Sequence, residues 1–436
     1  MIIAALSALL FLIYILIKKY NSLALANPAL WFAIGWTASI TSYMALDAVG
    51  GVPVHAPEIL KELMISITIT AVFFVSLNLF LTPSPSFKYI VSDRTPTLFP
   101  KNYKLFALVS LVGALINFVS ISFTMGYDDS VRQQWLQEIP RVTVYTWYLY
   151  LMNFPAAILS GQILVRLVQS KDRILSRRNI YIALPILNGY LWSMSTGGRQ
   201  ALGIVIFHCV VGACLAIASL SASETGVPKK AMKKLAIISV VGFIGFSLFI
   251  GLTGLSRAKQ QGTIASEFDD IWFVAPVGQL INYVGLSIAS QQAYGEPQRR
   301  DLTETGPVSL AGFQKFGLRY ITDWRPLNVD DTNPERALSS TGIDLASATR
   351  NVFYDFQADF GLNVARAVLM LIAILSHLLF LRAKYFTSET LTKSVPLTIL
   401  IIFWGYSHQF SILMFDTFFW TTVSCLIWDF SRRFKF

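Results

Sequence analysis

Charge is what this chain has least of. Asp, Glu, Lys and Arg make up 14% of its 436 residues, whereas 54% are hydrophobic, and the mean hydropathy is +0.55. Soluble domains carry about a quarter of their residues charged, so water is excluded as the solvent for most of this chain and lipid takes its place. Cysteine is scarce too. Cys209, Cys214 and Cys425 all lie in apolar runs, at spacings that fit neither a disulfide framework nor a zinc site, and they read as packing residues. There is no Walker A sequence and no G-x-G-x-x-G, so no nucleotide site is signalled. Also missing are a separate soluble domain, a low-complexity tail and a short-period repeat. Any chemistry must therefore start from an already activated substrate, or a substrate must move down its gradient without ATP.

What is present is a series of apolar runs of membrane length, roughly 17 to 25 residues each. They fall near 2–17, 28–46, 59–82, 104–125, 143–168, 180–196, 201–220, 235–255, 363–381, 396–412 and 416–430. The expected fold is all-α, a polytopic membrane protein of about eleven transmembrane helices, with residues 1–436 forming one membrane domain. The first run has no small-residue cleavage site and its lysines follow it, so it reads as a retained helix and not a signal peptide.

Basic clusters occupy every second loop and set the orientation. Lys18 and Lys19 follow the first run, Lys88, Arg94, Lys101 and Lys104 the third, and Arg166, Lys171, Arg173, Arg177 and Arg178 the fifth. Lys229, Lys230, Lys233 and Lys234 follow the seventh, Arg382, Lys384 and Lys393 the ninth, and Arg432, Arg433 and Lys435 close the chain. These are expected to be cytoplasmic, which puts the amino terminus and the long polar loop 256–362 outside. The net charge of +10 is then explained by topology and by anionic lipid headgroups, without a nucleic-acid partner.

Basic residues kept outside need another reason, and most of them are arginines. Arg132 and Arg141 flank MGYDDSVRQQWLQEIPR, Arg199 sits in the short STGGRQ turn, and Arg257 ends the eighth run in LTGLSRAKQQ. Arg299, Arg300, Arg319, Arg325, Arg336 and Arg350 follow in the large loop. A guanidinium binds phosphate oxygens bidentately and stays charged, so arginines at headgroup depth suit a lipid-linked diphosphate. For Arg299, Arg300 and Arg336 the simpler account is snorkelling to lipid phosphates or a solvated loop face. Arg199 differs, since its glycine-containing hairpin lets backbone approach a ligand and an interfacial cation calls for an anionic partner.

Two features stand out in the loop itself. The stretch 270–288, DIWFVAPVGQLINYVGLSI, approaches span length; a crossing there would reverse the sign of every later loop, so it is expected to be an interfacial or re-entrant helix. In RNVFYDFQADFG, Asp355 and Asp359 are four apart and share a helix face leading into the ninth run. They are candidates to activate a sugar hydroxyl or bind a cation, or else they form a solvated helix end where negative charge suits the dipole. The pairs Asp128–Asp129, Asp269–Asp270 and Asp330–Asp331 are of a kind common in loops and carry little as metal ligands. Among the histidines, His208 and His377 fall within runs and read as packed, and His55 is in a short loop. His408, in GYSHQF near the external end of the tenth run and shortly before Asp416, is a candidate general base.

Taken together, the MGYDDSVR loop, the TGGRQAL hairpin, the SRAK end of the eighth run, the long external loop and the DFGLNVARAVLML entry into the next helix resemble the Wzy-type O-antigen and polysaccharide repeat-unit polymerases. The resemblance implies a glycosyltransferase of the bacterial inner membrane that joins oligosaccharide repeat units carried on undecaprenyl diphosphate at the periplasmic face. The growing chain would be the donor, passed from its lipid diphosphate to an incoming lipid-linked unit, with a flippase and a chain-length regulator as pathway partners and no cofactor. Arg199 and Arg257 are then the first candidates for the diphosphate, followed by Arg132, Arg325 and Arg350. Asp355, Asp359 and His408 are the candidates for the base, and Trp135, Tyr320, Trp324 and Tyr354 for stacking on sugar rings. An O-antigen ligase would share the donor and differ in acceptor. A transporter or flippase would bury its charges in the bundle and show repeat symmetry, and a structural or regulatory membrane protein would leave the external arginines unused.

Overall fold

The computed structural model describes residues 1–48, 56–81, 102–125, 146, 149–170, 180–196, 200–221, 233–238, 241–242, 244–245, 248, 284–285, 287–289, 291–292, 351–382, 391–408 and 417–433. No strand occurs among them. The α-helices are α1 (Ile2–Tyr20), α2 (Pro28–Ala48), α3 (Pro57–Phe80), α4 (Tyr103–Met125), α5 (Asn153–Ser170), α6 (Leu184–Thr196), α7 (Gln200–Ser221), α8 (Val352–Phe360), α9 (Leu362–Arg382), α10 (Leu391–Tyr406) and α11 (Thr417–Arg433). Short 3-10 turns at Asn21–Ala26 and Ile180–Ile182 precede α2 and α6.

Among the described residues, α1, α2, α3, α4, α7 and α9 are each long and apolar enough to cross a membrane, and this is a membrane protein. Along α1, Ile3, Leu10, Phe11, Tyr14 and Ile17 are exposed, as a lipid-facing surface requires. The runs expected at 143–168, 180–196, 396–412 and 416–430 coincide with α5, α6, α10 and α11, which are shorter or more polar. Helix α6 has 13 residues, about 20 Å of rise. More than half of the run expected at 235–255 and most of loop 256–362 lie outside the described residues.

The chain forms two compact units: Met1–Ser86 with Gly242–Arg382 and Leu400–Phe419, and Phe87–Val241 with Ala383–Ile399 and Trp420–Phe436. In the first, Asn27 caps α2 by accepting the Ala29 amide at 3.0 Å, and Pro28 supplies the fixed φ favoured at a first helical position. The Asn27 side chain also donates to Asn78 Oδ1 at 3.0 Å, so the start of α2 and the end of α3 share one level. Lys19 donates to the carbonyl of Asn78 at the same end. A buried aromatic cluster follows one turn further in, where Trp404 meets Phe32 at 5.3 Å and Phe74 at 5.1 Å between ring centroids.

The second unit is held by close helix contacts and neutral polar groups. Helices α5 and α7 pack closely because Gly161 faces the carbonyl of Cys209 and Gly212 faces the carbonyl of Ile158; small residues permit such backbone approach in membranes. Asn188 on α6 donates to the Ala107 carbonyl at 3.1 Å and to Ser110 Oγ at 3.0 Å on α4, and to Asn153 Oδ1 on α5 at 3.1 Å. His208 stacks on Phe154 at 4.9 Å and meets Thr421 Oγ1 at 3.1 Å, a packed histidine as expected. Cys214 and Cys425 are buried free thiols.

A methyl group at position 161 would meet backbone that cannot give way. Gly161→Ala is therefore expected to destabilise by about 1–3 kcal/mol, the usual penalty of overpacking. At Gly242, where an added Cβ has open space, the same change should leave stability within about 1 kcal/mol, since replacing glycine in a helix is mildly favourable. Thermal unfolding of the two purified variants in detergent checks the contrast.

Candidate functional site

Residues near Ser407 form the most constrained polar region of the first unit. At about 1.5 Å per residue along α2, Gly35 and Trp36 stand about 12 Å in from the Asn27–Asn78 level, less than half-way along the helix. There the end of α10 presses against α2. A Cβ on Gly35 would lie 2.7 Å from the Gly405 carbonyl and 2.8 Å from His408 Nδ1, so a glycine is what admits the contact. Trp36 Nε1 donates to Ser407 Oγ at 2.9 Å, and the Ser407 hydroxyl donates to the Trp404 carbonyl at 2.7 Å.

Helix α8 begins at this same depth. The Val352 amide donates to the Ser407 carbonyl at 2.9 Å, while Asn351 caps the helix by accepting the Tyr354 amide at 3.0 Å. With nine residues α8 rises about 13 Å. Gly361, at φ 75, then turns the chain into α9, whose Ser376 Oγ accepts from Trp404 Nε1 at 2.9 Å. A half-length helix thus starts inside the membrane, and after Gly361 the next helix passes back alongside it.

The carboxylates of Asp355 and Asp359 are carried on this half-helix, 0% and 1% exposed. The solvated-helix-end account is excluded by those values. His408, 8% exposed, is brought beside α8 through Trp36, whose ring lies 6.4 Å from His408 and 5.4 Å from Phe353. It sits deeper than an external helix end, because α10 stops short of the far end of α2. Tyr354 is buried in α8. Arg132, Arg199, Arg257, Arg325 and Arg350 lie outside the described residues, as do Trp135, Tyr320, Trp324, Asp416, His55 and the three adjacent aspartate pairs.

The last residues of the stretch 270–288 bear on the same region. Ser39 Oγ, mid-way along α2, donates to the Val284 carbonyl at 3.1 Å and meets Ser287 Oγ at 3.3 Å, and Gly285 lies against the backbone of Ser42 and Tyr43. Residues 270–283 of that stretch lie outside the described residues. Gln292 donates to Tyr43 Oη at 2.9 Å and accepts from the Ala56 amide at 3.2 Å, and Asn351 donates to Gln291.

Sequence reasoning missed Gln291, Gln292 and Tyr43, which carry no signal beyond polarity. It also missed an ion pair between α3 and α9, where Arg366 Nη2 meets Glu62 Oε2 at 2.8 Å. There a signal existed: LNVARAVLML places one charge inside an apolar run and PEILKELMISI carries Glu62 at the start of another, and such charges normally pair. No group of His, Cys, Asp and Glu able to hold a metal occurs among the described residues.

Removing the cap should loosen α8 selectively. Asn351→Ala deletes both the Tyr354 acceptor and the Gln291 donor, and is expected to lower stability by about 1–2 kcal/mol. In hydrogen exchange the amides of 352–356 should lose protection while those of α2 and α3 keep theirs.

No protein-family model, no curated protein and no solved structure matches this chain.

Proposed function

We propose that this chain polymerises lipid-linked oligosaccharide repeat units at the periplasmic face of a bacterial inner membrane, as its resemblance to the Wzy-type polymerases implies. The observation that carries the reading is the buried pair Asp355 and Asp359 on a half-inserted helix, with His408 held beside it across Trp36. Glycosyl transfer from a lipid diphosphate needs a base within a water-poor site and cations for the leaving group, and little else from the protein. The amino terminus and loop 256–362 are assigned to the periplasm and the carboxyl terminus to the cytoplasm, on the alternation of basic loops.

In the proposed reaction the acceptor hydroxyl oxygen attacks the anomeric carbon of the growing chain. Its proton passes to a carboxylate of α8, and Asp355, one turn closer to Trp36 and His408, is assigned that role. The bond from the anomeric carbon to the phosphate oxygen breaks, and undecaprenyl diphosphate leaves with the electron pair. Arg199 and Arg257 are assigned to the leaving diphosphate, with Arg132, Arg325 and Arg350 supporting them; pre-placed cations stabilise that charge without reorganising. Each incoming unit arrives already activated, which agrees with the lack of a nucleotide motif. A flippase supplies the unit, and a chain-length regulator acts alongside.

Deletion of the gene, followed by electrophoresis of the surface glycan and of the undecaprenyl-linked pool, tests the reading. Loss of the ladder with single repeat units still reaching the surface is the expected result. Long polymer stranded on undecaprenyl would make the chain a ligase, and an unchanged ladder would overturn both. Asp355→Asn, restored in trans at normal membrane level, should slow polymerisation by about two to four orders of magnitude, the usual contribution of a general base.

A further inference from the structure

The ion pair between α3 and α9 engages only part of the guanidinium. Ser66 Oγ donates its single proton to the Glu62 carbonyl at 2.9 Å, which turns its lone pairs toward α9. They accept from Arg366 Nε at 3.1 Å and Nη2 at 3.0 Å, and Nη2 also donates to Glu62 Oε2 at 2.8 Å. An arginine has five N–H donors; three are used here, and both hydrogens of Nη1 have no hydrogen-bond partner among the described residues. The carboxylate is met by one nitrogen and not by the paired fork that gives arginine its strongest carboxylate contacts.

Position adds a second constraint. Ser66 and Glu62 stand about 18 and 24 Å along α3 from the Asn27–Asn78 level, so Arg366 lies within a few turns of the opposite end of the helices, where lipid headgroups begin. Its side chain is 19% exposed and that of Glu62 45%, so the pair opens to the surface on one side. A pair serving only to join two helices would be favoured with the fork fully engaged. Here the guanidinium is held through Nε and Nη2, and the two hydrogens of Nη1 are left for another anion.

We propose that Arg366 binds a phosphate group carried on a membrane lipid, with Ser66 and Glu62 fixing the guanidinium and Nη1 meeting a phosphate oxygen. An anionic phospholipid headgroup and the diphosphate of a lipid-linked sugar present the same oxygens, so this site does not depend on the polymerase reading. Glu62 has two opposed effects on the ligand: it orients the arginine, and its charge repels a phosphate brought to the neighbouring Nη1. The two partners of the ion pair should therefore respond oppositely to substitution, which a purely structural bridge would not do.

Farnesyl diphosphate titrated into the purified full-length protein in neutral detergent reads this directly. Arg366→Ala is expected to weaken binding about tenfold or more, and Arg366→Lys, which keeps the charge but not the fork, to fall between. Glu62→Gln, which keeps an acceptor for Nη2, should bind as tightly as the wild type or more tightly. Displacement of the probe by an equimolar amount of phosphatidylglycerol would assign the site to ordinary headgroups, and resistance to a large excess would assign it to a diphosphate. The proposal is overturned if neither probe binds saturably, if Arg366→Ala and Arg366→Lys bind as the wild type does, or if Glu62→Gln loses as much affinity as Arg366→Ala while all unfold at the wild-type temperature. None of these results alters the glycan ladder on which the polymerase reading is judged.

Discussion

A helix that begins within a membrane must find partners for its first amides, because no water is there to supply them. In this protein that requirement falls on the contact between Ser407 and Val352. Helix α10 ends in carbonyls that need donors and α8 begins with amides that need acceptors, and the two ends answer each other at a depth where neither has another source. Around this contact a series of dependences is built. Trp36 fixes Ser407, Gly35 lets α10 come near enough for Trp36 to reach it, and Asn351 serves the next amide while Gln291 takes its side-chain donor. An aromatic residue, a glycine and two amides from three distant stretches of chain thus stand behind one backbone hydrogen bond.

That arrangement explains how two carboxylates come to be placed where the chain is otherwise apolar. A full-length helix would carry Asp355 and Asp359 past the ends of its neighbours toward water. A half-length helix that starts within the membrane keeps them at the level of α2, α3 and α9, enclosed on all sides. Burial of a carboxylate is costly, and a residue retained at such a cost inside a membrane is a functional candidate before any homologue is known. On the proposed reading, enclosure keeps bulk water from competing with the acceptor hydroxyl.

Much of the helix order was legible in the sequence, because lipid imposes a length and a composition on each crossing. The start of α2 at Pro28 and the long runs of α3, α4, α7 and α9 emerge from hydropathy alone. Less legible was α8, since its nine residues read equally well as a solvated helix end; what defines it is a hydrogen bond to a residue 55 positions away in sequence, Val352 to Ser407. Asp355 and Asp359 could be named from their spacing, but their burial could not. Glu62 and Arg366 passed unnoticed because charge near the end of an apolar run looks like a boundary, and only the pairing of α3 with α9 turns two boundaries into an ion pair.

The buried polar groups of the two units differ in kind. In the second unit those described are amides, hydroxyls and one imidazole: Asn117, Asn153, Asn188, Ser195, His208, Thr421 and their neighbours. They hydrogen-bond from helix to helix, as Asn117 does to Ser195 at 2.7 Å, and neutral bonds of this kind serve to hold membrane helices together. In the first unit the buried set includes Asp355, Asp359, His377 and His408, and the Arg366–Glu62 pair stands at its edge. Among the described residues the buried carboxylates are therefore found in the first unit, on the half-helix, while neutral bonds and glycine contacts knit the second. On the proposed reading such a division suits a catalyst, whose site needs carboxylates that its scaffold does not.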